Sequence, residues 1–124
     1  MTEPAKTERD ARIMGAALVG MGVLHFAVPK PFDDQIPREF PGKPRTLTYA
    51  SGVAEAAIGA GLLVPTTRRL SALAAVALFL AVFPANVNMV RLYWDKPMLR
   101  AGALARLPFQ VPMITTAVRI YRKA

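Results

Sequence analysis

Apolar residues run for 21 positions, Leu70–Val90, without a formal charge. At 1.5 Å per residue a helix of this length spans roughly 31 Å, close to the hydrocarbon thickness of a bilayer. The first two-thirds of the run contain almost only Ala, Leu, Val and Phe, whereas Pro84, Asn86 and Asn88 lie in its last third. The pattern predicts a transmembrane helix over residues 68–90 that carries a proline and two amides inside the apolar layer.

Three further apolar stretches accompany this run. The first contains one histidine, His25, the second contains one acid, Glu55, and the last is interrupted by Arg106. Together the four stretches use most of the chain, and they predict an all-α fold, a four-helix transmembrane bundle formed by a single domain over residues 11–122. The predicted spans are 11–28, 46–64, 68–90 and 101–121.

The remaining residues form a tail and one long connection. Residues 1–10 are polar and short, and we expect a polar N-terminal tail without fixed structure. Residues 29–45 are rich in proline and longer than the usual connection between helices. Because Phe32, Ile36 and Phe40 are interleaved with the prolines, we expect this cap segment, residues 29–45, to fold over one end of the bundle.

Small residues predict where helices pack closely. Ala16 and Gly20 are four positions apart in the first stretch. Gly52, Glu55 and Gly59 are spaced at i, i+3 and i+7 in the second, so they share one helical stripe. We expect both sets to face protein, with the Glu55 carboxylate buried between two glycines.

The charge pattern favours a membrane over nucleic acid as the partner. The chain has 16 Lys and Arg and a net charge of +8. These residues cluster at the ends of the apolar stretches instead of along one helix face, which is typical of membrane anchoring. We therefore expect contact with membrane lipid and no nucleic-acid binding.

The sequence offers little for catalysis. It contains no cysteine and a single histidine, so it can form no disulfide, thiol redox pair or histidine-rich metal or haem site. No Ser-His-Asp order and no phosphate-binding loop is visible. We expect no metal and no catalytic residues, and the sequence favours a chain without catalytic activity of its own; the chemistry left open is proton handling by Glu55 and His25 around a bound cofactor.

Consecutive spans must alternate in direction, and this places the strongly polar residues of the spans in one half of the bundle. Two interpretations remain open for this predicted polar cluster. It could bind a ligand with a polar head and an apolar tail, such as a quinone or a lipid. Alternatively it could be structural, with Glu55 paired to Arg106 or Arg91 and one asparagine bonded to backbone freed by Pro84. The cluster comprises His25, Glu55, Asn86, Asn88, Arg106 and Gln110.

Four segments carry a resemblance to a known family. They are GVLHFAVPKPF, YASGVAEAAIGAGLLVP, FPANVNM and RLPFQ, one from each predicted span and its flank. Over residues 13–112 the chain resembles the small DoxX-like membrane proteins. The resemblance implies a four-helix bundle in the bacterial inner membrane. Relatives are associated with the membrane part of a thiosulfate:quinone oxidoreductase, with an oxidoreductase complex for oxidative-stress defence and, more distantly, with an animal receptor chaperone.

These observations predict a small accessory or assembly subunit of a larger inner-membrane complex, linked to redox or oxidative-stress functions, with a protein partner or a second copy of itself. One alternative is a quinone- or lipid-binding redox module, in which quinone is the candidate cofactor. A second alternative is an oligomeric transporter of small solutes. If Arg91 and Arg106 are counted as buried, the positive-inside rule places the termini of this multi-pass protein in the cytoplasm.

Overall fold

The computed structural model describes residues 2–124, and these residues form six α-helices and no strand. The all-α prediction is confirmed. The helices are α1 (Glu3–Ala27), α2 (Pro29–Gln35), α3 (Pro44–Leu63), α4 (Arg68–Ala81), α5 (Phe83–Leu92) and α6 (Pro97–Lys123). By length and composition, α1 and the stretch Arg68–Leu92 could each cross a membrane.

The helices α3 and α6 are also long enough to cross a membrane, but neither contains a stretch as apolar as those in α1 and Arg68–Leu92. Glycines, threonines and Glu55 lower the mean hydropathy of α3, and α6 contains Arg100, Arg106 and Arg119. By length and composition, two helices could cross a membrane where the charge-free windows predict four.

The N-terminal residues differ from the prediction. Residues 1–10 are predicted as a tail, yet α1 begins at Glu3, and only Met1 lies outside the described residues. The Thr2 hydroxyl accepts a hydrogen bond from the Ala5 amide at 3.2 Å, which caps the helix. Farther along α1, Asp10 pairs with Arg119 of α6. The cap and this long-range ion pair give the segment an order that its polar composition does not indicate.

The closest helix contact joins α1 and α3, which lie antiparallel and touch through glycines. A methyl group on Gly59 would lie 2.6 Å from the carbonyl oxygen of Gly15, and one on Gly22 would lie 2.6 Å from that of Gly52. The two glycines on each helix are seven residues apart, or about two turns, so they repeat on one face. The backbones approach this closely because no side chain separates them.

The predicted stripe on α3 is confirmed, and the predicted strip on α1 is wrong. Gly52, Glu55 and Gly59 are all buried. Ala16 is exposed, however, and a methyl group on Gly20 would meet no atom within 4 Å. The glycines of α1 that face α3 are Gly15 and Gly22, and their spacing of seven residues matches that of Gly52 and Gly59. Ala16 and Gly20 are only four residues apart, so they cannot both meet the two glycines of α3.

The helices α4 and α6 complete the bundle, with small side chains inside. The core is made largely of alanines and leucines together with Phe79 and Ile120. The predicted span over residues 68–90 is divided at Val82, because Pro84 has no amide hydrogen to continue the helical bonding. The buried apolar residues of the core are Ala11, Leu18, Leu62, Ala72, Ala75, Phe79, Ala117 and Ile120.

We expect Gly59→Ala to destabilise the protein and Gly20→Ala to leave it as stable or slightly more so. The first methyl group collides with backbone that cannot move aside, and overpacking of this kind costs about 1–3 kcal/mol. The second adds helix propensity in open space. Thermal unfolding of both variants in the same detergent measures the difference. Equal midpoints for the two variants would contradict the glycine contact.

Candidate functional site

A cavity of about 260 Å³ lies between the cap segment and the ends of α1, α3 and α4. Its polar wall contains four of the residues predicted for the cluster: His25, Glu55, Asn86 and Arg106. Its apolar wall includes Phe32, Phe40, Leu78 and Val82. One cavity is therefore lined by both polar and apolar side chains.

The cap segment is fastened to the bundle by an ionised residue at one end. Asp33 of α2 accepts a hydrogen bond from the Thr48 hydroxyl at 2.5 Å and one from Arg45 Nε at 2.9 Å. Although burial alone would raise the pKa of Asp33, these hydrogen bonds outweigh it and hold the pKa below its usual value. The beginning of α3 thus anchors α2.

A second set of contacts fastens the other end of the cap segment to α5. Asn88 Nδ2 donates to the carbonyl oxygen of Gln35 at 2.8 Å, and Arg91 Nη2 donates to Glu39 Oε1 at 3.1 Å. Arg91 also donates to Asn88 Oδ1, at 2.6 Å from Nη2. Asn88 therefore holds the cap segment and does not line the cavity.

His25 is oriented by its own helix and by the cap segment. Its Nδ1 lies 2.7 Å from the carbonyl oxygen of Met21, and because a carbonyl can only accept, Nδ1 carries the hydrogen of this bond. The imidazole ring stacks on Phe32 with 3.8 Å between ring centroids. The ring is therefore fixed from two directions beside the cavity.

Among the described residues that line the cavity, Glu55 is the one whose hydrogen bonding is incomplete. Its Oε2 is buried and finds no hydrogen-bond partner among residues 2–124. The nearest basic atom is His25 Nδ1 at 3.6 Å, which is too long for a hydrogen bond, and the hydrogen of this nitrogen is already directed at Met21. An unpaired buried carboxylate oxygen is costly unless a ligand or solvent completes it.

The ion pairs proposed for Glu55 are not formed. Arg91 bonds Glu39 and Asn88 instead, and Arg106 places Nη1 3.3 Å from the sulfur of Met89. Neither arginine lies within 4.0 Å of the Glu55 carboxylate in the described part of the chain, although Arg106 lines the same cavity. The acid partner of Arg91 lies in the cap segment, 52 positions away, and only the folding of that segment brings it close.

Asn86 and Gln110 form a buried chain of amides at the break between α4 and α5. Asn86 Nδ2 donates to Gln110 Oε1 at 2.7 Å, and Gln110 Nε2 donates to the carbonyl oxygen of Phe79. One interpretation of the sequence predicts an asparagine bonded to the backbone near Pro84. Instead Gln110, from α6, donates to the carbonyl oxygen of Phe79 beside the break. Gln110 is therefore a structural neighbour of the cavity.

Two polar residues outside the predicted cluster also matter. Thr48 is buried, lines the cavity and bonds Asp33. It lies seven positions before Glu55, so the same helical stripe could have identified it. At the opposite end of the bundle, buried Arg68 donates from Nε to the carbonyl oxygen of Leu62 at 2.7 Å and closes the end of α3.

A larger cavity of about 620 Å³, the second cavity, lies between the cap segment and the end of α5, where Asn88, Arg91 and Leu92 line it. Ile36, Pro37 and Phe40 line both cavities. The two cavities therefore adjoin at these residues of the cap segment.

Comparison with known proteins identifies one family. The family model described as "Domain of unknown function (DUF8561)" matches residues 14–121. No curated protein and no solved structure matches the chain. The matched range includes every residue that contributes to the cavity walls.

Acidification should loosen the cap segment through Asp33. The folded state lowers the pKa of Asp33, so the ionised carboxylate stabilises the fold above the unfolded pKa of about 3.9, and this contribution is lost as pH falls through the folded value. We expect the unfolding temperature of the wild type to fall more between pH 6 and pH 3 than that of Asp33→Asn. Parallel decreases in both proteins would show that Asp33 does not anchor the segment.

Proposed function

This chain belongs to the family of that domain of unknown function, and we propose that it is a four-helix transmembrane bundle with an internal site for an amphipathic ligand. The four spans of this proposal are α1, α3, the pair α4 and α5, and α6. The resemblance to DoxX-like proteins, and with it a location in the bacterial inner membrane with cytoplasmic termini, remains a prediction.

The membrane placement is supported by the distribution of polarity. Large apolar side chains are exposed on all four proposed spans, including α3 and α6, which composition alone does not mark as membrane helices. Val53 of α3 is 59% exposed and Phe109 of α6 is 62% exposed, whereas Glu55, Asn86 and Gln110 are buried. An apolar exterior around a polar interior is unfavourable in water and favourable in lipid.

The ligand site is supported above all by Glu55 Oε2, which is buried without a partner at the wall of a cavity. A ligand with a hydroxyl or amine donor would complete its hydrogen bonding. Arg106 supplies a donor for an acceptor atom of the same head group. A quinol has both kinds of group and a lipid head group can have them as well, so these two classes are our candidates.

The size of the cavity indicates which part of the ligand it holds. At about 260 Å³ it lies below the range of about 300–1,000 Å³ typical for a whole drug-sized molecule. We expect a head group inside, against Phe32 and Leu78, and a tail that leaves between the helices towards lipid. Binding of this kind needs no catalytic group of the protein.

A role as an accessory subunit is a second proposal, and ligand binding is compatible with it. The bundle has little structure outside its helices and the cap segment, and Arg38 and Asp34 line the second cavity between that segment and α5. These charges offer contacts to a protein partner. The oligomeric transporter stays a prediction.

The test is native mass spectrometry with lipid and quinone extraction, on protein purified gently from its own membrane. We expect a stoichiometric small molecule in the wild type and its loss in Glu55→Gln, because the amide cannot replace the second acceptor oxygen. Glu8→Gln is the matched control, since Glu8 is half-exposed at the other end of α1 and, among residues 2–124, forms an ion pair with Arg12 alone.

The outcome separates the two roles. Retention of the same molecule by Glu55→Gln, or an empty wild type, would contradict the ligand site. If an empty wild type instead carried a stoichiometric protein partner, the accessory-subunit proposal would take its place.

A further inference from the structure

An apolar groove of about 330 Å³ lies on the outer surface between α1 and α6, far from the cap segment. Ile13, Met14 and Ala17 form one wall, and Phe109 and Met113 form the other. Ile13 and Phe109 are each 62% exposed. The groove is therefore open to its surroundings along its length and presents apolar atoms to them.

A basic cleft of about 480 Å³ follows the groove at the end of α6. Its cations are Arg119, Arg122 and Lys123. Asp10 is the only acid that lines either the cleft or the groove within residues 2–124, and it already pairs with Arg119 Nη2. Three cations and one carboxylate leave the site with an excess of two positive charges.

Arg119 also has an unused donor. Its Nη1 is buried and has no hydrogen-bond partner in the described range 2–124. The carboxylate of Asp10 is engaged by Nη2 and by Arg9, whose Nη2 lies 3.0 Å away. An acceptor with several oxygens, such as a phosphate, could satisfy Nη1 and the neighbouring cations together.

The groove and the cleft adjoin at the ion pair of Asp10, which lines the groove, with Arg119, which lines the cleft. Met113 and Thr116 of the groove precede Arg119 and Lys123 of the cleft at spacings of three, three and four, which keeps all four on one side of the helix. At the same end of the bundle the Arg69 guanidinium lies 5.0 Å from the ring centroid of Tyr121. Basic and tyrosine side chains at a helix end are typical of the level of lipid head groups.

We propose that this surface binds one anionic phospholipid, with its phosphate in the basic cleft and an acyl chain in the apolar groove. The positive excess selects an anionic head group, and the groove that continues from it towards the bundle centre selects a molecule with a chain. The site rests on the membrane placement proposed above, but it shares no residue with the cavity at Glu55.

The test is lipid titration of the delipidated protein in detergent, followed by native mass spectrometry. The probes are phosphatidylglycerol and phosphatidylcholine with identical chains, together with glycerol phosphate as a head group without chains. We expect the wild type to retain phosphatidylglycerol preferentially. Arg122→Gln/Lys123→Gln should weaken this binding at least about tenfold, since each basic residue at the membrane surface contributes a severalfold gain. Arg119 is left intact because it holds Asp10.

Matched variants separate the two halves of the site. Arg38→Gln/Lys96→Gln removes the same charge from the other end of the bundle and should bind phosphatidylglycerol like the wild type. Ala17→Phe fills the groove and should weaken binding, whereas Ala16→Phe, also exposed but outside the groove, should not. Glu55→Gln should leave the lipid bound, so failure of the ligand cavity and failure of this site give different results.

Equal retention of the two phospholipids would overturn the proposal, as would unchanged binding in Arg122→Gln/Lys123→Gln. If glycerol phosphate competed as strongly as the intact lipid, the acyl chain would contribute nothing to binding. The groove would then not be part of the site, and the proposal would be overturned. Thermal unfolding of each variant identifies those that fold, and only folded variants enter the comparison.

Discussion

The contact of α1 with α3 is the constraint on which the candidate site depends. Because glycines face each other, the two backbones come close enough for a methyl group on Gly52 to lie 2.7 Å from the Cβ of His25. Glu55 follows one turn after Gly52, which brings its carboxylate to 3.6 Å from the imidazole. A bulkier side chain at this contact would separate the helices and, with them, the histidine and the acid.

The polar interior is satisfied almost entirely by contacts that span long distances in the sequence. Asn86 and Gln110 complete the bonding beside the α4–α5 break, and Asn88 holds the cap segment through Gln35. Glu55 is different, because its helix provides no partner and the arginines that could reach the site are engaged or too far away. Among the residues that line the cavity, Glu55 has the one buried side-chain atom without a hydrogen-bond partner in the described range 2–124, and this incomplete carboxylate is the physical reason to propose a ligand there.

The sequence predicts the parts of this arrangement that follow from local pattern. The helical class follows from the length of the apolar stretches without charge, and the buried stripe of Gly52, Glu55 and Gly59 follows from helical periodicity. The glycines of α1 that meet this stripe could not be found in the same way, because their choice depends on the register between two helices. The order of the N-terminal residues was missed for a similar reason, since Asp10 has its partner 109 positions away in α6. The partner of Arg91 depends on the path of the cap segment, which carries no periodic signal.

The central claim is that α3 and α6 face lipid, although by length and composition only α1 and the stretch Arg68–Leu92 stand out as helices that could cross a membrane. The chain contains no cysteine, so a single introduced cysteine can carry a spin label at a chosen position. Electron paramagnetic resonance on Val53→Cys and Phe109→Cys in bilayers would compare collisions with oxygen, which enters lipid, and with a water-soluble nickel complex. The account predicts high oxygen and low nickel accessibility at both positions, and the reverse at Lys96→Cys in the loop before α6. Nickel accessibility at Val53 or Phe109 equal to that at Lys96 would contradict it.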